Sequence, residues 1–155
     1  MSKIYRRGGL GALQDEYERA AADLVLALGS ISEEEYLAHR AGEVDFLQSI
    51  QKIMHHVISS AYGYASKIRK TIGVEATKVK LNEGMTKAES IATLKQALQY
   101  SADSFENHWT MKDDDLDGIK MMTPWKVEYS IEQMMEHAIV HILRHRRQIE
   151  RILNI

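Results

Sequence analysis

Three histidines recur at four-residue intervals towards the C-terminus of the sequence: His137, His141 and His145. Residues four apart stack on one face of an α-helix, so their rings can reach a common ion. Imidazole nitrogens are good ligands for divalent transition metals. The sequence has no cysteine, so a metal site must be built from nitrogen and oxygen ligands. The spacing therefore predicts a metal site on the last helix.

The positions of these histidines around the helix separate them. At ~100° per residue, His145 lies almost at the centre of the apolar stripe, His141 near one edge, and His137 further round towards solvent. Two imidazoles without partners are costly to bury, and one metal ion would satisfy both. We therefore predict that His141 and His145 point into the protein and that His137 flanks them. The stripe consists of Ile131, Met134, Ala138, Ile142, Ile149 and Ile152.

A third ligand must come from another helix, and His55 and His56 are the natural source. The two residues lie on opposite shoulders of an apolar stripe, so periodicity does not choose between them. His39 falls in an irregular region and His108 near the end of a predicted helix. We interpret these last two as structural or solvated histidines rather than ligands.

Four amphipathic segments must position these side chains. The predicted helices run from about Leu10 to Leu28, from Val44 to Ile72, from Thr86 to His108, and from Ser130 nearly to the C-terminus. The third and fourth open on capping boxes, in which Ser or Thr is followed three residues later by Glu or Gln. The sequence has a single proline, and no segment alternates with the period of two that would indicate a strand.

The connections complete the predicted architecture. Ser32, followed by three glutamates, predicts a short helical turn. The acidic run 112–118 is interpreted as a solvated, helix-breaking turn, because it lacks the alternating ligands and closing glutamate of an EF-hand. The sequence therefore predicts an all-α fold: an up-down four-helix bundle in one domain spanning 1–155, with a longer connection between helices 3 and 4.

Composition limits the classes of partner. The formal net charge is -2 and the isoelectric point is about 6.4, which favours neither nucleic acid nor an anionic membrane. No apolar run reaches the ~18 residues of a membrane span, and the N-terminus has no signal-peptide core. We expect a cytoplasmic protein that acts on a small molecule.

Two stretches of the sequence resemble one known family. Residues 49–57 read Ser-Ile-Gln-Lys-Ile-Met-His-His-Val, and residues 141–149 read His-Ile-Leu-Arg-His-Arg-Arg-Gln-Ile. They are similar to the second-helix and last-helix patterns of the DinB/YfiT-like superfamily of metal-binding four-helix bundles. The last-helix pattern is His-x-x-x-His-Arg-Gly-Gln followed by an aliphatic residue. Arg147 stands where many members have glycine. This difference concerns what the protein can accept as a substrate more than it concerns the metal ligands.

The resemblance implies a ligand set that periodicity left open. On the second helix the family's ligand falls on His56, because Val57 follows it, and the paired ligands fall on His141 and His145. It also implies one divalent ion, with zinc and nickel the best suited to imidazole ligands. Three neutral imidazoles leave such an ion at least one open position.

The resemblance further implies an activity. Some members of the superfamily are similar to transferases or isomerases that depend on bacillithiol, mycothiol or glutathione. A metal can stabilise a thiolate, and in a protein without cysteine that thiol must belong to a small-molecule cofactor. The first functional hypothesis is therefore a metal- and thiol-dependent transferase that activates a low-molecular-weight thiol at a three-histidine site.

Two further hypotheses remain open. One is a metal-dependent hydrolase that uses metal-bound hydroxide, with His137 and His55 as candidates for the base or proton shuttle that it needs. The other is a non-enzymatic metal-binding or stress-related protein acting as a homodimer. The segment with Met121, Met122 and Trp125 could supply an apolar contact, although packing on the protein's own core is the simpler role.

Two basic residues of the last helix are candidates for binding a cofactor or an anionic substrate: Arg144 and Arg147. A solvated basic turn, favoured by the helix dipole, is the simpler interpretation of both.

Overall fold

The protein is described by a computed structural model that covers residues 4–155. The elements, in chain order, are α1 (Gly8–Leu28), α2 (Glu33–Leu37), a 3-10 turn (Asp45–Leu47), α3 (Ile50–Thr71), α4 (Lys87–Asp103), α5 (Asp113–Gly118), β1 (Lys120–Met122), β2 (Glu128–Ser130) and α6 (Ile131–Leu153). The all-α prediction is confirmed, since the four long helices α1, α3, α4 and α6 form the body of the fold.

The four long helices form a bundle in which each has two principal neighbours. Helix α1 packs against α4 and α6, and α3 packs against the same two helices. Helices α1 and α3 therefore face each other across the bundle, as do α4 and α6. Because α3 and α6 are neighbours, side chains from these two helices can meet along one seam, and that seam holds the site described below.

Apolar side chains fill the space between the long helices. Among the largest that are fully buried are Leu10, Leu24, Ile53, Met54 and Leu94. Burial of a side chain of this size stabilises the folded state by about 1.5–3 kcal/mol each. Within residues 4–155, no helix is both long enough and apolar enough to cross a membrane.

The helix starts predicted from capping boxes are confirmed. The hydroxyl of Thr86 accepts a hydrogen bond from the backbone N–H of Glu89, whose carboxylate accepts one from the Thr86 N–H. Ser130 and Gln133 make the same reciprocal pair at the start of α6. Ser32 begins the short helix α2 in the same way. Each box pairs two backbone donors that the helix itself leaves free.

Two predicted helix boundaries were wrong. The second long helix begins at Ile50 rather than Val44, because Ser49 has extended backbone and its hydroxyl caps the N–H of Lys52. The residues before it form the 3-10 turn, which leaves Phe46 40% exposed. The third long helix ends at Asp103 rather than about His108, and tighter turns follow.

The connection between α4 and α6 also contains structure that periodicity did not predict. Strands β1 and β2 pair antiparallel over three residues each, too short for a period of two to show. The acidic run is not a helix-breaking turn, since it forms α5. Its three aspartates occupy the first turn, where the helix dipole favours negative charge, and Leu116 is buried.

Candidate metal centre

The structure brings three imidazole rings from two helices to one point. The Nε2 atom of His141 lies 3.1 Å from that of His56 and 3.2 Å from that of His145. Helix α3 supplies His56, while α6 supplies the other two residues one turn apart. His141 and His145 are 8% and 3% exposed, so both point inward as the helical wheel predicted, and His56 is half-buried.

The spacing of these nitrogens suits one transition-metal ion. Metal–nitrogen bonds of ~2.0–2.1 Å separate neighbouring ligand atoms by about 3.4 Å in a tetrahedral site and about 2.9 Å in an octahedral one. The two observed distances, 3.1 and 3.2 Å, lie between those values. A single nitrogen in His141 cannot form full hydrogen bonds to both neighbours, whereas one cation can accept all three lone pairs. The donor set therefore fits a divalent ion.

Gln148 fixes the orientation of the most buried ring. Its side-chain oxygen lies 2.6 Å from Nδ1 of His145. An amide oxygen only accepts, so Nδ1 of His145 carries the proton and donates it. The lone pair of the neutral ring is then on Nε2, the atom that faces His141. Histidines that bind metals typically donate their other ring N–H to such an acceptor, which holds the ring in place.

Burial keeps the cluster uncharged. The pKa of His141 is lowered to about 3. Burial is the largest cause, and the neighbouring His145 and His56 also contribute. Burial likewise lowers the pKa of His145 to about 4, although the hydrogen bond to Gln148 acts in the opposite direction. The pKa of His56 is also lowered, first by burial and then by the adjacent His55. Near pH 7 the rings are therefore neutral and do not have to lose a proton to bind a metal.

Aromatic side chains cover the cluster. The ring of Phe46 stacks on His56 with 4.5 Å between centroids. The ring of Tyr64 meets His141 edge-on at 5.7 Å. Phe46 falls within the range predicted for the second helix, but it reaches the cluster from the 3-10 turn before that helix. Each of these two imidazoles therefore has an aromatic ring against one side.

His137 lies one turn before His141 but outside the cluster. The rings of the two residues are 6.4 Å apart. His137 stacks on Trp125 at 4.8 Å and meets the edge of Tyr64 at 5.3 Å. It is half-buried, because the segment between β1 and β2 folds over a face that the helical wheel assigned to solvent. Burial lowers its pKa, as does the guanidinium of Arg144.

The other candidate residues are not among the three clustered rings. His55 lines a second cavity with Asp45 and Lys52, and His56 and Phe46 also line that cavity. The candidates Arg144 and Arg147 on α6 are exposed. Arg147 therefore does not crowd the three rings, although it stands where the related pattern has glycine.

Replacing Gln148 with alanine is expected to weaken metal binding by about 10–100-fold, as loss of the hydrogen-bond partner of a metal-binding histidine commonly does. The ring of His145 would keep its place on α6 but lose the acceptor that holds its tautomer. Competition with a chromophoric chelator measures the dissociation constant. Gln148→Glu is the matched control, since it keeps an acceptor at the same position and should bind as wild type does. Equal affinity for wild type and Gln148→Ala would show that the contact does not orient the ligand.

Comparison with known proteins identifies one family that the sequence matches. A family model described as the DinB superfamily matches residues 16–149. The matched range includes all three clustered histidines and Gln148. No curated protein matches the chain.

Proposed function

The chain belongs to the DinB superfamily, and from that premise we propose that it binds one divalent metal ion through His56, His141 and His145 and acts as a thiol-dependent transferase. Zinc and nickel are the metals that best suit three imidazole ligands. The observation that carries this proposal is the convergence of three Nε2 atoms on one point. When bound, the ion would supply an open position that stabilises a thiolate.

The charges along the cavity that opens from both His56 and His141 favour a thiolate over a hydrolytic base. Within residues 4–155, no Asp or Glu side chain lines the cavity that opens from His56 and His141, whereas Lys67 and Lys70 do. Arg144 is close enough to contribute to the lowered pKa of His141 and of His145. Positive charge lowers the pKa of a nearby thiol and so raises the fraction present as thiolate.

The reaction that we propose is a displacement. The thiol gives its proton to solvent, its sulfur forms a bond to an electrophilic carbon, and the leaving group departs with the bonding electrons. The chain binds the thiol beside Trp125 and Tyr64, excludes water with these rings and supplies positive charge to the sulfur. No oxidant or reductant is required.

The test uses 1-chloro-2,4-dinitrobenzene as the electrophile and glutathione as the thiol. We expect the zinc- or nickel-loaded protein to release chloride and form the thioether faster than the uncatalysed reaction of the thiol with the electrophile, and the metal-free protein to give no such acceleration. His56→Ala should abolish turnover, and His39→Ala, which changes an exposed histidine outside the cluster, should not. Turnover unchanged by a chelator, or by His56→Ala, would overturn the proposal.

A metal-dependent hydrolase is the second candidate, because His137 lies one turn from His141 and could relay a proton. It predicts cleavage of 4-nitrophenyl acetate that needs metal but no thiol. A non-enzymatic metal-binding protein predicts metal binding with neither activity. The homodimer stays a prediction. Met121 is buried in the protein's own core, whereas Met122 and Trp125 are exposed and available for such a contact.

A further inference from the structure

A cavity of about 540 Å³ runs along α3 from the metal cluster. One end is formed by His56 and His141, the other by Lys67 and Lys70. Trp125, from the segment between β1 and β2, forms the opposite wall. The cavity therefore joins the proposed reacting centre to a pair of cations.

The two lysines have no protein partner in the part of the chain that the structure describes. Lys67 and Lys70 follow His56 on α3 at spacings of eleven and fourteen residues, which returns their side chains to the same helix face. Neither ammonium group makes an ion pair or a hydrogen bond within residues 4–155, where other lysines, such as Lys52 and Lys120, do. With no acidic side chain along the cavity, the lysines are left to pair with an anion from outside the chain.

Gly63 keeps the cavity open between these two ends. It lies in the interior of α3, where glycine costs ~0.5–1 kcal/mol of stability relative to alanine. A Cβ added there would meet nothing within 4 Å, so no neighbouring group requires glycine at this position. Gly63 also lines the cavity. Gly63 is exposed, so a side chain at this position would extend into the open cavity and narrow it.

We propose that this cavity binds an elongated thiol whose carboxylate or phosphate group pairs with Lys67 and Lys70 while its sulfur reaches the three histidines. The inference rests on the proposed function for the sulfur end only. Eleven residues of helix span ~16 Å, and a lysine side chain inclines back towards the N-terminus by up to ~6 Å. An anionic group paired with Lys67 should therefore lie about 10 Å from the sulfur, and Lys70 is ~4.5 Å further along the helix.

Two thiols of equal length test this assignment. Extended 8-mercaptooctanoate places a carboxylate at about the required distance from its sulfur, and 8-mercapto-1-octanol replaces that carboxylate with a neutral hydroxyl. Titration calorimetry on the zinc-loaded protein measures both affinities. We expect about 10-fold tighter binding of the carboxylate, as fits one half-buried and one exposed cation that each contribute modestly, and a smaller preference at high ionic strength.

Three variants identify the groups responsible. Lys67→Met combined with Lys70→Met removes the charge but keeps a good helix former, and should reduce the preference to less than about 2-fold. Lys80→Met, an exposed lysine in the loop after α3, is the matched control and should keep it. Gly63→Leu fills the cavity and should weaken both thiols while leaving the zinc content unchanged.

The outcomes separate this inference from the proposed function. If both thiols bind equally to the zinc-loaded protein, the lysine subsite is overturned and the proposed function stands. If neither thiol binds, the proposed function fails. The affinities of octanoate and 1-octanol, which have no sulfur, then test the lysine subsite independently. A preference for octanoate that disappears with the two lysines supports it, and equal or no binding overturns it.

Discussion

His141→Ala is expected to abolish stoichiometric metal binding, with a loss of affinity larger than the ~10–100-fold typical of losing a residue that only orients a ligand. His141 is the central residue of the cluster, since its Nε2 is the atom that lies within 3.2 Å of the other two. Without it, two imidazoles from different helices remain, and the ion must complete its coordination with water. Elemental analysis of purified protein should give about one metal per chain for wild type and almost none for the variant.

Thermal unfolding supplies an independent measurement. A ligand present at 1,000 times its dissociation constant stabilises the folded state by about 4 kcal/mol, which raises the melting temperature of a domain of this size by roughly 8–16 °C. Wild type should show this increase on addition of zinc, and His141→Ala should not. His108→Ala, which changes a half-buried histidine outside the cluster, is the control. Equal metal content in wild type and His141→Ala would rule out the site.

The metal-free protein is expected to lose about 2–4 kcal/mol of stability between pH 7.5 and pH 5.0. In the folded state the pKa of His141 is about 3 and that of His145 about 4, whereas both are ~6.5 in an unfolded chain. Above pH ~6.5 neither state binds these protons, so the two residues add no pH dependence. As the pH falls below that value, the unfolded state takes up protons that the buried rings cannot, and unfolding becomes more favourable until the folded pKa values are reached.

Urea unfolding at several pH values, in the presence of a chelator, measures this slope. The matched variant carries His141→Gln and His145→Gln, which keep polar side chains of similar size but do not titrate. Its stability should change much less over the same interval. If the variant loses as much stability as wild type, other groups cause the acid sensitivity and the two imidazoles are not buried in the neutral form.

The inward orientation of the paired histidines could be predicted because it is a local property of one helix. His145 lies within the apolar stripe and His141 at its edge, and their burial follows that order. The choice between His55 and His56 could not be made in this way. Helix α3 packs against both α4 and α6, so its buried arc is broad and both shoulders are half-buried. Only the position of the neighbouring helix decides which of the two rings meets the cluster.

The surroundings of the cluster could not be predicted, because they depend on contacts distant in sequence. Phe46 reaches His56 from a 3-10 turn that has no helical periodicity. Strands β1 and β2 exist because Thr123 pairs with Val127 across a tight turn, in which Lys126 has a positive φ of 68°. That turn is what places Trp125 over His137.

Two of the three clustered imidazoles come from α6, and the third lies 85 residues earlier in the chain. During synthesis on the ribosome, His56 is made long before its partners, and a nascent chain that stops short of His145 has no complete site. If the proposed site holds a metal, it can do so only after α6 has been released and has docked against α3. Proteolytic loss of α6 would then remove two of the three ligands, so the metal content of a preparation would also report how much of it is intact.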